Sequence, residues 1–468
     1  MPSPSSTRPA LLRQLGLVSA TALVISNMIG TGIFTGTGFL AAQLGSTNLI
    51  FWIYIVGGFS AFIGAMCYAE LGVNFPSSGG EYVYLTKAFG PQWGFMTGWA
   101  SFFAGFSAPI AAAALAFSEY LGHFFPALRE TNAHILLGSG EYTLRFGGAQ
   151  AVACLLVGLF SVLNIFGLQR AAKVQNFLTA LKVIVLFAFI VLGFAIGSGD
   201  SANYTQQAAR DSATPIAEQF AISLVWVYVA YSGWNAATYV AEELHRPSRT
   251  LPLALGIGTV LVTGLYLALN AVFIYASPLE EMKNVEAVGS FAASHLFGPL
   301  GAGIFSGLMA LSLMSTVNAM VTIGPRVYFA MARNGAFPAA AARVHPSFHT
   351  PAVAIVAQAV CTMLMTLTPF PQLVLYIGMT LNIFTVMSVL SIFFFRKREG
   401  WHKLRAVSFA YPAFPVLFAL VGTWMAYQGV ILKPWIALAT FLTLATGALV
   451  HRLRTRQQAP QSPAVETY

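Results

Sequence analysis

Read as a pattern of apolar and polar positions, the chain is a series of long apolar runs parted by short polar segments. Twelve such runs lie between about residues 15 and 451, the first over 15–39, the sixth over 216–241 and the last over 434–451. Their lengths are near the roughly 20 residues that a helix needs to cross a bilayer. The third (92–121) and eighth (297–330) are longer than one crossing requires, so tilt is expected there. Nothing resembles the short alternating segments of a membrane β-barrel. The pattern predicts an all-α membrane protein with twelve transmembrane helices.

Two runs are interrupted. Within the first, Ser26 to Gly38 reads SNMIGTGIFTGTG, which places Gly30, Gly32, Gly36 and Gly38 in an apolar context. Glycine costs about 1 kcal/mol against alanine inside a helix, so a helix break is expected. In a bilayer the backbone groups freed by a break need partners, and breaks survive where they line a cavity or pack in protein. Within the sixth run, Ser232, Gly233 and Asn235 interrupt an aromatic and β-branched stretch. Broken helices at corresponding places in two halves point to a midplane site between inverted repeats. The expected organisation is a tail over 1–14, a ten-helix core over 15–396 (repeats 15–198 and 216–396), two additional helices over 397–451, and a tail over 452–468.

Two readings of the first break stand side by side. In one, Gly-x-Gly lets two helices approach closely. In the other, the N–H groups of Thr31, Gly32 and Ile33, beyond Gly30, point at a carboxylate as at any helix N-terminus. The freed carbonyls near Met28 and Ile29 would then accept from an ammonium group. That pairing would recognise a zwitterion without any charged side chain.

Charge fixes an orientation. Of 24 Lys and Arg, 18 fall in segments on the side of the N-terminus, five on the other side, and Lys182 lies inside a run. The positive-inside rule then puts both termini in the cytoplasm. Charged residues are only 8% and the mean hydropathy is +0.71, whereas soluble domains carry about 25% charged residues. The net charge of +9 is this inside bias and calls for no nucleic-acid partner. Cys67, Cys154 and Cys361 all lie in apolar runs, so no disulfide-linked heavy subunit is expected. The first apolar run follows a short Pro/Ser-rich start without a small-residue cleavage site, and reads as a span rather than a removed signal.

Lys182 is costly in a span, by about 2.5–3.5 kcal/mol. Either it snorkels to the inner surface over roughly 12 Å, or its ammonium is buried between helices. In the second case it would donate to the freed carbonyls of the first break and to Ser315 or Thr316. The acidic residues place at helix ends and loops, with Glu70 and Glu81 at inner ends and Glu119 near an outer end, so none is expected to face the pocket. Neutral side chains fit best. Glu242 and Glu243 with Arg246 and Arg249 read either as an ion-pair gate or as a solvated helix end. No metal-ligand spacing, phosphate loop or nucleophile–base pair appears, so no metal, no cofactor and no enzyme activity are expected.

Five pieces of the chain carry a family resemblance. They are IGTGIF (29–34), YAELG…PSSGGEY (68–82), ALKVIVL (180–186), YSGWN…YVAEEL…P.RTLPLAL (231–255) and R.YFAMARNGAFP…VHP…TP (326–351). Together they resemble the amino acid–polyamine–organocation superfamily, most closely its L-amino acid transporter branch. The resemblance implies a leucine-transporter-type fold of 5+5 inverted repeats with helices one and six broken. It implies an ammonium-accepting carbonyl near Val229 or Ala230 and a side-chain pocket near Ser232, flanked by Tyr231 and Gly233. It puts an aromatic gate where this chain has Val229, which leaves Tyr228 or Trp226 as gate candidates. It also implies that Lys182 stands where sodium-coupled relatives hold a cation, and so sodium independence.

The expected function is a sodium-independent exchanger of neutral L-amino acids, acting by alternating access in a bacterial inner membrane, with the amino acid and the lipid bilayer as its partners. Two rivals remain: a proton-coupled permease of cationic amino acids or polyamines, and a membrane sensor or scaffold that binds an amino acid without moving it.

Overall fold

A computed structural model describes residues 16–77, 79–139, 142–166, 168–348 and 350–458, without the side chains of 142, 168–173, 176, 242, 243 and 455–458. The first apolar run is two helices, α1 (Leu17–Met28) and α2 (Thr31–Leu44), followed by α3 (Thr47–Asn74) and a short α4 (Glu81–Phe89). The third run is α5 (Pro91–Ala100), a π-helical segment (Ser101–Ser107) and α6 (Ala108–Leu121). A hairpin follows, β1 (His134–Ser139) paired antiparallel with β2 (Tyr142–Phe146). Then come α7 (Gly148–Ile165), α8 (Leu168–Ala195) and α9 (Ile216–Tyr231), the last continued by a 3-10 helix (Ala236–Glu243). After α10 (Pro247–Ala276) and α11 (Leu279–Met282), α12 (Val288–Arg333) bends sharply at Gly298, where φ is +73°. The chain ends with α13 (Ala352–Met365), α14 (Phe370–Phe395), α15 (Arg405–Ser408), α16 (Ala413–Leu432) and α17 (Pro434–Gln458).

Among the described residues, ten helical stretches are long and apolar enough to cross a membrane. The sixth and ninth expected runs fall short of that length: α9 has 16 residues and α13 has 14. The sixth is short because its break, like the one expected there, takes residues out of the helix. The β-hairpin was not expected. It stands at the end of the bundle away from the start of α1, with Ile135, Leu136 and Leu137 exposed. That end is called the hairpin end below. The other, where α3 and α14 finish and Arg333, Arg396, Lys397 and Arg398 gather, is the basic end.

The outer surface is apolar. Leu155, Leu159 and Val162 on α7 and Phe177, Ile184, Phe187 and Val191 on α8 are exposed at helical spacing. In water such a stripe would be a liability; against lipid tails it needs no cover. Inside, helices approach closely through small residues. The run Ala111–Ala114 of α6 is wholly buried, and α6 packs along α12 and α7. The polar interior concentrates where α1, α2, α8, α9, α10 and α12 meet.

Candidate functional site

The first break forms where α1 stops at Met28 and α2 starts at Thr31. Gly30 between them is extended (φ −124°, ψ −152°). The carbonyls at the end of α1 have no continuing helix to accept from, and the first N–H groups of α2 have no intrahelical partner. Two side chains from other helices take up the carbonyls. Tyr266 Oη on α10 lies 2.6 Å from Met28 O and 2.8 Å from Ala230 O, so one hydroxyl bridges the two breaks. Lys182 Nζ on α8 donates to Ile29 O at 2.7 Å and to Thr316 Oγ1 of α12 at 3.0 Å.

Lys182 is 1% exposed, so its ammonium does not reach the membrane surface. Among the described residues no carboxylate pairs with it. Ser315 does not receive the ammonium. Its Oγ instead meets Gln175 Nε2 (2.9 Å) and Thr179 Oγ1 (3.3 Å), which also reach Ser26 of α1. Asn318 Nδ2 donates to Gln175 Oε1, and Asn164 Nδ2 of α7 to Asn318 Oδ1. A chain of hydrogen bonds therefore ties α1, α7, α8 and α12 together on the basic side of the lysine.

The two breaks touch. A Cβ added to Gly32 would lie 2.4 Å from Ala230 Cα. Close packing at this glycine is thus a geometric fact, and in this conformation the space over Gly32 is filled by α9 backbone. The second break runs from Ser232, which leaves the helix at φ −53°, ψ 139°, through Gly233 at φ +103°. Gly233 abuts the Asn27 backbone of α1.

A cavity of about 110 Å³ opens beside the second break, on its basic-end side. Tyr228, Val229, Ser232 and Gly233 line it, with Asn27, Asn235, Tyr239 and Phe418. The π-helical segment contributes Ser101, Gly105 and Phe106; irregular turns of this kind are frequent at functional sites. Met28, Ile29, Gly30, Thr31, Gly32, Ile33, Ala230 and Tyr231 sit behind this wall rather than on it. The structure thus brings the predicted residues of both breaks together but exposes only those of the second.

The expectation that no carboxylate faces the pocket is corrected here. Glu81 lines the cavity. Its place looked like a cytoplasmic loop, but the Gly79–Gly80 turn folds α4 back against the bundle. Gly80 has φ +47°, and a Cβ on it would meet the Tyr239 ring at 2.6 Å. The turn presses Glu81 to 5% exposure, where Tyr68 Oη (2.7 Å) and Asn235 Nδ2 (3.1 Å) donate to its Oε1. Burial holds this carboxyl above its ordinary range, and the two donors pull it back in part.

On the hairpin side the breaks are sealed. Trp226 stacks on Phe39 with ring centroids 4.4 Å apart. Tyr120 Oη donates to Phe34 O, and Asn284 N–H to Gly38 O. Of the two gate candidates, Trp226 belongs to this seal, whereas Tyr228 lines the cavity and its hydroxyl meets Ser60 Oγ. Glu119 does not turn inward; it accepts from the Glu130 N–H at the hairpin end. At the basic end Glu70 is fully buried and accepts from Arg396 Nε and Nη2 (2.7 and 2.6 Å), Trp401 Nε1 and Leu404 N–H, joining α3 to α14 and the segment after it. The side chains of Glu242 and Glu243 lie outside the described residues.

Sequence reasoning missed Tyr266, Glu81 and the π-helical segment. Tyr266 had one faint signal, a second polar residue, Asn270, one turn along the same run, which accepts from Thr37 of α2.

Comparison with known proteins agrees with this architecture. A family model described as amino acid permease matches residues 15–452. The chain is 31% identical over 418 residues to the serine/threonine exchanger SteT of Bacillus subtilis (strain 168), covering 88% of this chain and 90% of that protein. It is 33% identical to the large neutral amino acids transporter small subunit 2 of Homo sapiens, over 79% of this chain and 67% of that protein. It is 32% identical to the Asc-type amino acid transporter 1 of Mus musculus, over 75% of this chain and 64% of that protein.

Proposed function

The chain belongs to the amino acid permease family, and from that premise we propose that it exchanges neutral L-amino acids across a membrane without sodium. The observation that carries the sodium-independence is Lys182. Its ammonium donates to Ile29 O at the first break, among neutral partners only. Nζ fills the place between Ile29 O and Thr316 Oγ1 that a cation would take, and in its charged form it repels a second cation, which leaves sodium no place between α1 and α12. The names of the similar proteins, two of them exchangers or transporters of neutral amino acids, support the substrate class.

In this reading the substrate zwitterion lies between the two breaks. Its carboxylate meets the N–H groups of Thr31, Gly32 and Ile33, and its ammonium meets carbonyls near Met28, Ile29 and Ala230. Its side chain enters the space beside Val229, Ser232 and Gly233. Twelve crossings in two inverted sets of five, plus α16 and α17, give the fold, with α9 and α13 as the short crossings. Both termini face the cytoplasm of a bacterial cell, so the cavity is the inner vestibule. Cys67 is buried in α3, and Cys154 and Cys361 lie within α7 and α13, which supports a reading without a disulfide-linked subunit.

The test is uptake of radiolabelled serine, threonine or leucine into proteoliposomes. Four conditions are compared: unlabelled amino acid inside or not, each with sodium or potassium outside. Uptake that needs internal substrate and ignores sodium is expected. Uptake into empty vesicles that follows a pH gradient would instead favour a proton-coupled permease. Glu81 in the vestibule gives that second reading one observation, and competition by excess lysine or putrescine separates the two.

A further inference from the structure

The inner vestibule holds a carboxylate that the proposed substrate site does not use. Glu81 is 5% exposed, lines the cavity and takes both of its hydrogen bonds on Oε1, from Tyr68 and Asn235. Among the described residues none donates to its Oε2. Among the described residues no cation lies within ion-pair distance of either oxygen. Buried carboxylates are ordinarily paired, because an isolated charge in such a place is expensive. Glu70, also buried, follows that rule and holds Arg396 by two bonds.

The oxygens around Glu81 are few and neutral. Asn235 spends its Nδ2 on Glu81 and on Tyr239 Oη (3.3 Å), which keeps its Oδ1 as an acceptor on the cavity wall. One carboxylate, one amide oxygen and one phenol suit the three donors of a primary ammonium. They are too few for a hard metal ion, which takes six or more oxygens. The cavity of about 110 Å³ is several times what one water needs, so an ammonium head fits beside its alkyl chain. The apolar faces of Val229, Ile377 and Phe418 line the same space.

We propose that Glu81, with Asn235 and Tyr239, forms a second ammonium-binding position in the vestibule, taken by the substrate's amino group between the helix breaks and the basic end. The inference rests on the exchanger reading for its biological role but not for its test. The position gives an amino acid leaving the breaks a place for its ammonium before it reaches water. It also captures an incoming one from that face only, because the other face is sealed by Trp226 and Phe39.

The test uses the full chain in detergent and in proteoliposomes. The probe is n-butylammonium, which has an ammonium and an apolar chain but no carboxylate. Calorimetry should show it binding the wild-type protein and losing about tenfold or more in affinity with Glu81→Gln, the scale of a charge-assisted bond. Tyr68→Phe removes a hydrogen bond to Glu81 but keeps the carboxylate, and should retain butylammonium binding. In vesicles of known orientation, Glu81→Gln should raise the KM at the basic-end face and leave the KM at the hairpin-end face unchanged. Equal butylammonium binding by wild type and Glu81→Gln, or none by either, overturns the proposal and makes Glu81 a protonated structural residue. Equal changes of KM at both faces overturn it too. Absence of exchange by the wild type defeats the exchanger reading alone, since butylammonium binding still decides the site.

Discussion

Gly32→Ala isolates what the IGTGIF stretch needs. The added methyl would lie 2.4 Å from Ala230 Cα and 2.7 Å from Ala230 N and Cβ. Carbon atoms rest about 3.5–4.0 Å apart, so α2 and α9 must separate by about 1 Å. The obstacle is backbone, which has no rotamer to escape through. Overpacking of this kind costs about 1–3 kcal/mol, which is about 5–150-fold in an equilibrium constant. The neighbouring glycines supply controls. At Gly30 the nearest atom, Thr316 Cγ2, is 3.6 Å away, and at Gly36 Tyr54 Oη is 3.4 Å away. Alanine is accommodated at both, and the extended backbone of Gly30 suits any residue. If the proposed alternating access parts α2 from α9 when the hairpin end opens, the penalty falls on the sealed state alone. Gly32→Ala should then shift the protein toward the hairpin-end-open form, with faster amide hydrogen exchange across residues 36–44 and a lower exchange rate in vesicles. Gly30→Ala and Gly36→Ala should stay near wild type. Wild-type amide exchange and transport in Gly32→Ala, or equal damage from Gly36→Ala, would refute the steric argument.

Lys182→Ala removes the donor to Ile29 O and Thr316. Leaving such buried acceptors short costs about 1–3 kcal/mol, so turnover in vesicles should fall tenfold or more. Lys182→Arg should not rescue it, because a guanidinium does not fit a site 1% exposed. Tyr266→Phe keeps the ring but strips the bridge between Met28 O and Ala230 O; exchange should slow with little loss of melting temperature. Glu70→Gln unpairs a buried Arg396 and should destabilise the protein by about 3–5 kcal/mol in a thermal melt. At the hairpin end, burial pushes Glu130 to about 7 and, with Glu130 and Glu119 beside it, pushes Glu286 to about 8, while Arg145 pulls both down. His123 and Arg129 line the adjoining cleft. Raised carboxyls favour the closed end in acid: their contribution is full below the ordinary value of 4.5, declines above it, and is gone past about pH 8. Amide exchange at residues 284–290, corrected for its intrinsic pH dependence, should therefore rise across that window, and Glu286→Gln should flatten the rise.

The parts of the site legible in the sequence were those where a residue contradicts its surroundings. Gly30 and Gly32 in an apolar run, Ser232 to Asn235 in an aromatic one, and Lys182 in a span each cost energy unless tertiary structure repays it, so each announced a site. Tyr266 gave no such contradiction, since a tyrosine is at home in a span and its value lies in where its hydroxyl arrives. Glu81 was misplaced because the apolar pattern marks where the chain leaves the membrane, and the loop's return depends on Gly80 pressing against Tyr239, 159 residues on. The π-helical segment is a matter of hydrogen-bond register within one helix, which composition does not encode. The hairpin was hidden because HILLGS reads as apolar filler in a polar loop.

The donors at the breaks bear on the proposal that the protein cycles without sodium. In the sealed conformation the carbonyls of Met28 and Ala230 share the Tyr266 hydroxyl, and Ile29 O holds the Lys182 ammonium. Freed backbone acceptors in a membrane interior are costly when unpaired, so a site without such donors would need an ion or a substrate to be stable. Here the protein carries its own. In the proposed site an arriving substrate ammonium competes with Tyr266 for the same oxygens, and the hydroxyl it displaces turns to the other carbonyl. Among the described residues no carboxylate lies within ion-pair distance of Lys182, so its Nζ stays on Ile29 O and Thr316 Oγ1. Under the proposed exchange, empty and loaded states then differ by an exchange of donors at these carbonyls, and that reading needs no ion beside the substrate.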